Sequence, residues 1–352
     1  MALAGNSIML QTRAPFPTTL KSSKSASKLI TFQPKLQSLS HSNVGLSGVS
    51  SSSISDDKVG VQQGWSEFGR KVSGEWDGFG ADFSSQGKPI ELPENVVPEA
   101  YREWEVKVFD WQTQCPSLAQ SQEFHFMYKT IKLLPTVGCE ADAATRHSVD
   151  ERIVGGGDSE VCGFAYDASG CYVGVWAMRD DGMEVEYCLM HPHDKESRVR
   201  IIKFVDSKMR LKNIRVFVEQ WYGEFRNGEQ LGGCAMRDSA FAATAALQAS
   251  QVVGAWEGRA KSATFVNISN SFVQELTGDS IRNSVRDEHS LILLPKQLWC
   301  SLKAGSHGET ISEVGWLFQP QFSLTSTCIF STHANKKDIS IAIAREEIVD
   351  KA

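Results

Sequence analysis

The chain has 352 residues, of which 22% are charged and 41% apolar, with a net charge of −6. That composition excludes wholesale disorder and collagen-like repeats, and its length suits about two domains of roughly 100–200 residues. No basic domain stands out, which argues against nucleic acid as a main partner, and no apolar run reaches the roughly 18–20 residues of a membrane span.

Residues 1–55 contain no Asp or Glu, five basic residues (Arg13, Lys21, Lys24, Lys28, Lys35) and 14 serines. Serine-rich, basic and acid-free is the composition of an organelle transit peptide, and the scattered Ser, Thr and Pro suit a plastid leader. The expected location is the chloroplast stroma, with thylakoid association left open. Removing the leader leaves 31 basic against 42 acidic residues, a net charge of −11. Eight cysteines follow without a CxxC pair, as expected of reduced core residues.

Period two dominates the rest. Pro98–Gln114 is ambiguous between helix and strand. In Glu160–Met190, Tyr172 and Trp176 share one strand face, and Met183, Val185, Tyr187 and Leu189 alternate with Glu184, Glu186 and Cys188. Turns containing Gly and Asp join these strands, giving a β-meander. Ser239–Ser250 reads as a linker or short helix. From Trp256 onward about eight short strands follow, near 256–266, 271–276, 281–286, 290–294, 299–303, 310–318, 322–330 and 338–345. Strands at this spacing imply a sandwich or barrel.

Two echoes indicate an internal repeat. Gly74-Glu75-Trp76-Asp77-Gly78 and Gly254-Ala255-Trp256-Glu257-Gly258 both read GxWxG, and Arg198–Gln220 matches Ser323–Arg345 in pattern at an offset of 125. The expected units are 62–233 and 251–348, the first with about 55 extra residues within 117–165. Gly lets a strand approach a neighbour closely, and a Trp beside it plugs the barrel end. A basic residue late in the last strand stacks on such an indole; Arg345 fits that role in the second unit, whereas Gln220 aligns with it in the first.

GxW ahead of an eight-stranded meander resembles the calycin superfamily, which includes lipocalins and fatty-acid-binding proteins. Glu313-Val314-Gly315-Trp316-Leu317 followed by a hairpin resembles an uncharacterised family of cyanobacteria and plastids with two lipocalin-like units. The resemblance spans roughly 62–348 and implies two fused antiparallel up-and-down β-barrels. The superfamily also contains phycobilin lyases and allene oxide cyclase, but no catalytic motif of either is matched here.

Three constellations carry candidate chemistry. Arg152-Ile153-Val154-Gly155-Gly156 resembles a trypsin-like activation site, but Asp158-Ser159 follows too closely to serve as nucleophile, so the glycines read as a turn. Cys188, His191 and His193 are zinc-ligand types without the second close pair that structural zinc wants. The aromatics offer either a packed core or the lining of an apolar cavity. Ligand-facing candidates are Tyr172, Trp176 and Tyr187 in the first unit and Trp299, Trp316 and Phe318 in the second. Arg198, Arg200 and Lys203 then offer a carboxylate partner at the rim. No phosphate loop, HExxH or GxSxG occurs. The sequence therefore suggests a non-catalytic binder or carrier of a hydrophobic small molecule, such as a tetrapyrrole, carotenoid, fatty acid or isoprenoid. The alternatives are a scaffold for a thylakoid complex, or a barrel isomerase or lyase. No cofactor is specified.

Overall fold

The computed structural model describes residues 56–120, 124–135, 145–156, 161–229, 240–266, 272–333 and 336–350. The leader, Asp158-Ser159 of the trypsin-like match and the start of the 239–250 linker lie outside them. The protein is mainly β. In chain order its elements are α1 (Asp56–Val72), β1 (Glu75–Ser84), α2 (Glu99–Glu103), β2 (Asp110–Gln114), β3 (Ser117–Gln120), β4 (His125–Leu133), β5 (Arg146–Val154), β6 (Val161–Tyr166), β7 (Tyr172–Ala177), β8 (Met183–Met190), β9 (Ser197–Val205) and β10 (Leu211–Gly223). Then come β11 (Gly254–Phe265), β12 (Val273–Glu275), β13 (Thr277–Arg286), β14 (Leu291–Leu294), β15 (Leu298–Ala304), β16 (Thr310–Gln319), β17 (Phe322–His333) and β18 (Lys336–Asp350).

The first sheet is strongly curled, a half-barrel ordered β12-β6-β7-β8-β9-β10-β1-β2-β4-β3, with β5 beside β4. The second runs β13-β11-β18-β17-β16-β15-β14. All eight strands expected after Trp256 are present, but β12 leaves its sequence neighbours to pair in parallel with β6 of the first sheet. Pro98–Gln114 resolves into the short helix α2 and the strand β2. The extra length of the first unit is spent largely on β3, β4 and β5. The described part of the 239–250 stretch holds two three-residue helical turns, Phe241–Ala243 and Ala249–Gln251. Among the described residues no helix is long and apolar enough to cross a membrane.

Helix α1 plugs one end of the half-barrel. Trp65, Phe68 and Val72, spaced for one helical face, are fully buried against Tyr166, Phe126 and Phe164. Arg152, Ile153 and Val154 belong to β5, and Gly155 and Gly156 turn the chain at φ +84° and +76°, a conformation other residues avoid.

The GxWxG echo is a true structural repeat. Gly74 and Gly254 have φ of +135° and +136°. Trp76 donates its indole N–H to the Val72 carbonyl at 2.9 Å, and Trp256 donates to Val252 at 2.7 Å, each tying down a helical-turn carbonyl that lacks an in-helix partner. A β-bulge falls between Glu75 and Trp76 and again between Ala255 and Trp256. Gly78 stands opposite Glu219, and Gly258 opposite Glu346; a Cβ on either glycine would overlap a backbone carbonyl oxygen, of Val218 or Arg345. The equivalence of Glu219 with Glu346 sets the last strands 127 residues apart. Pairing of Glu219 with Arg198 and of Glu346 with Ser323 keeps the preceding strands at 125. The second hairpin thus has two more residues around its turn. An even number preserves which face each side chain takes.

Candidate functional site

The inner face of the first sheet carries a buried ionic cluster. The Arg198 guanidinium lies 4.1 Å from the Trp76 ring centre and donates to Glu219 at 2.7 Å and to Ser117 Oγ at 3.4 Å. Arg200 donates to Glu219 at 2.8 Å, Glu186 at 2.9 Å and Thr130 Oγ1 at 3.1 Å. Glu186 also accepts from the Tyr128 and Tyr172 hydroxyls at 2.6 and 2.8 Å. Both arginines are fully buried. Burial works against ionised Glu219, but the two guanidiniums together outweigh it and hold the carboxyl below its ordinary range. Burial, then the neighbouring Glu186 charge, drives the Tyr128 and Tyr172 hydroxyls well above theirs, so both stay donors. This interlocked network is buried, and none of its members lines any of the three clefts described below. Nearer the mouth Arg152 pairs with Glu184 at 2.7 Å and covers Trp176 at 4.9 Å, beside an open cleft of about 640 Å³.

The second sheet repeats the pattern on the face turned away from the first. Arg286 is sandwiched between Trp256 at 4.9 Å and Trp299 at 4.4 Å. It pairs with Glu346 and, at 3.3 Å, with Glu313, while Arg282 reaches Glu313 at 3.1 Å. By strand register Glu313 is the counterpart of Glu186, as Glu346 is of Glu219.

The two sheets meet through their other faces. Tyr187 donates to Ser312 Oγ at 2.7 Å, and the buried Lys203 ammonium donates to the Ser301 and Glu313 carbonyls at 2.7 and 2.8 Å. Burial pushes the Lys203 ammonium down to about 8. At one end of this seam the sheets part to leave a cleft of about 740 Å³, the largest of the three described; another of about 550 Å³ opens where Met178, Met183 and Met209 line the seam. The large cleft is the candidate site. Its apolar floor includes Met190, Phe318, Phe322, Leu324 and Ile343, and Arg259, Lys261 and Arg345 supply positive charge among several acids. Register sets Arg259, Arg345, Leu324 and Trp316 side by side across four strands, which runs from two guanidiniums to an indole over about 14 Å. Arg259 pairs with Asp279, whereas Arg345 forms no ion pair among the described residues. Beyond Phe318 and Trp316 the aromatic surface continues through His193 and His191, with ring centres 5.6 and 5.0 Å away. The His191 Nδ1 accepts from the Asp194 backbone N–H at 2.9 Å, which fixes the loop there.

The sequence candidates thus divide among separate places. Tyr172, Arg198 and Arg200 belong to the first buried cluster, Trp176 to its mouth, and Trp299 to the second cluster. Tyr187 and Lys203 lie between the sheets. Phe318 and Arg345 line the large cleft, and Trp316 lies beside it, opposite Leu324 in the strand row. Arg345 faces that cleft, so the cation on Trp256 is Arg286, from the strand on the other side. Cys188 is turned into the first inner face while His191 and His193 border the cleft, so these three do not converge. The residues not singled out from sequence are Tyr128, Glu186, Glu219, Arg286, Glu313 and Glu346. Their one legible trace was the 127-residue spacing shared by Glu186 with Glu313 and Glu219 with Glu346.

No family model and no curated protein matches the chain. Among solved structures it is similar to a protein of unknown function of the DUF3598 family from Nostoc punctiforme PCC 73102. That match has 14% identity and a TM-score of 0.47, and covers 81% of this chain and 98% of that one. A weaker likeness, at 6% identity and a TM-score of 0.14, is to intact Ap-TbpB with its N and C lobes, over 79% of this chain and 78% of that one.

Proposed function

We propose that the protein is a non-catalytic binder or carrier of a hydrophobic small molecule with an acidic end, held in the large cleft between the sheets, and that it works in the chloroplast. The observation that carries this reading is the cleft itself: about 740 Å³, with an apolar floor leading to the Arg345 guanidinium, which forms no ion pair among the described residues. Fatty acids, isoprenoid acids and tetrapyrroles with propionate arms have that chemistry. The chloroplast rests on the acid-free, serine-rich leader, and two lipocalin-like units rest on the repeated GxWxG geometry. Titration of the full chain with a fluorescent polyene fatty acid tests the reading. Saturable one-to-one binding is expected, weakened tenfold or more by Leu324→Glu at the cleft floor. Absence of saturable binding, or equal binding by the variant, would overturn it.

A second reading, a scaffold for a thylakoid complex, is favoured by a different observation. Ile281 and Val285 on the edge strand β13 are 70% and 71% exposed, and Val349 on β18 is 62% exposed. Such an unpaired, apolar edge suits a protein partner.

A further inference from the structure

The cleft lined by Met178, Met183 and Met209 lies at the opposite end of the seam from the large one. Strand β8 runs from Met183 at this end, past Tyr187, to Met190 at the other, and β18 runs from Ile339 here to Arg345 there. The hydrogen bond of Tyr187 to Ser312 lies between the two clefts along β8 and β16. Three chain reversals frame the smaller cleft, β7–β8, β9–β10 and β15–β16, together with β17 and β18 around Phe330 and Ile339.

Met178 and Met209 are half-buried yet stand outside the packed clusters of the described residues, and Met183, Cys162, Phe330 and Ile339 continue them into one apolar surface. Thioether side chains are flexible and polarisable, so such a surface adapts to an apolar guest. A volume of about 550 Å³ falls within the range of small-molecule sites. The charged residues of the lining are Asp181, Asp206 and Asp338, and among the described residues no Lys, Arg or His lines it. Asp206 is committed to its own turn, where it accepts from the Lys208 and Arg210 backbone N–H groups and pairs with the Arg210 and Lys212 side chains. Asp181, exposed in the β7–β8 turn, has no ion pair or side-chain hydrogen bond among the described residues. Asp338 stands on β18 opposite Ser331, which also lines the cleft. An apolar surface edged by carboxylates disfavours an acid and favours an apolar body carrying a positive charge, to which Phe330 also offers a ring.

We propose that this smaller cleft binds an amphiphilic organic cation, an amine or quaternary ammonium on an apolar chain or ring, with its body on the methionines and its head toward Asp181 and Asp338. The site is separate from the large cleft and does not depend on the carboxylate reading of it. The test is a titration of the full chain, carbon-13 labelled in its methionine methyls, with decyltrimethylammonium below its micelle concentration and, separately, with decanoate. The methyl resonances are assigned through single Met→Leu variants. Saturable movement of the Met178, Met183 and Met209 methyls is expected with the cation, at an affinity about tenfold or more above that for decanoate at these methyls. Met209→Lys is expected to weaken the cation about tenfold, and Asp181→Asn about threefold, the worth of one partly screened charge. Leu324→Glu in the large cleft is expected to leave this binding unchanged. Unmoved methyls at low millimolar cation, equal affinity for decanoate, or undiminished binding by folded Met209→Lys and Asp181→Asn would overturn the proposal, as would loss of binding in folded Leu324→Glu.

Discussion

Arg198 and Arg286 hold equivalent indoles from opposite sides of the tryptophan's strand. Arg198 reaches Trp76 from β9, with Ser117 beside it; Arg286 reaches Trp256 from the β13 side, and Ser323 takes the place equivalent to Arg198. Ser117 and Arg286 are themselves equivalent, since they pair with Gly74 and Gly254. Arginine and serine have exchanged strands across a fixed tryptophan and a fixed glutamate.

This exchange predicts a rescue. Arg198→Ser leaves Glu219 with one of its two guanidiniums and is expected to cost about 3–5 kcal/mol, the range for breaking a buried pair. Adding Ser117→Arg rebuilds the arrangement of the second sheet, and the double variant is expected to recover at least half of the loss in chemical denaturation. Additive destabilisation would show that the two positions are not interchangeable.

The paired glycines predict matched costs. Gly78→Ala and Gly258→Ala each drive a methyl into a neighbouring carbonyl, and each is expected to lose about 1–3 kcal/mol through overpacking. A loss at one position with none at the other would argue against equivalent strand crossings.

Lys203 predicts a pH dependence. Its folded value lies near 8, below the ordinary 10.5. Between those limits the unfolded chain keeps a proton that the folded chain has released, so stability rises with pH in that window. Relative to Lys203→Met, the parent is expected to gain up to about 3 kcal/mol between pH 7.5 and 10.5. A flat difference across that range would contradict a desolvated ammonium at the seam.

The cleft predicts selectivity by charge. Arg345→Glu is expected to weaken a long-chain carboxylate tenfold or more while leaving the matching alcohol nearly unchanged, as read by competition against a fluorescent fatty acid. Equal losses for both would place the acidic end elsewhere.

Strands were legible because period two survives in a single sequence, and all eight after Trp256 fell where alternation put them. Which face they turned inward was not. Val185 and Tyr187 suited an interior, yet they pack between the sheets while Glu186 and Cys188 enter the half-barrel, because both faces of β8 are buried and alternation alone cannot distinguish them. Helix α1 carries a stripe at Trp65, Phe68 and Val72 that is spaced for one helical face. Arg286 was unreadable for a different reason: its indole partner is set by strand register, and the sequence places it 30 residues away with no local mark. The GxWxG pair was readable because two glycines are needed by geometry, one for its positive φ and one for a close carbonyl.

The measurement that bears most directly on the carrier reading is the native mass of the full-length chain, purified gently from chloroplasts beside its Leu324→Glu variant. A stoichiometric excess mass of an apolar acid is expected on the parent and is absent from the variant. A bare polypeptide mass for both, from preparations in which they remain folded, would contradict it.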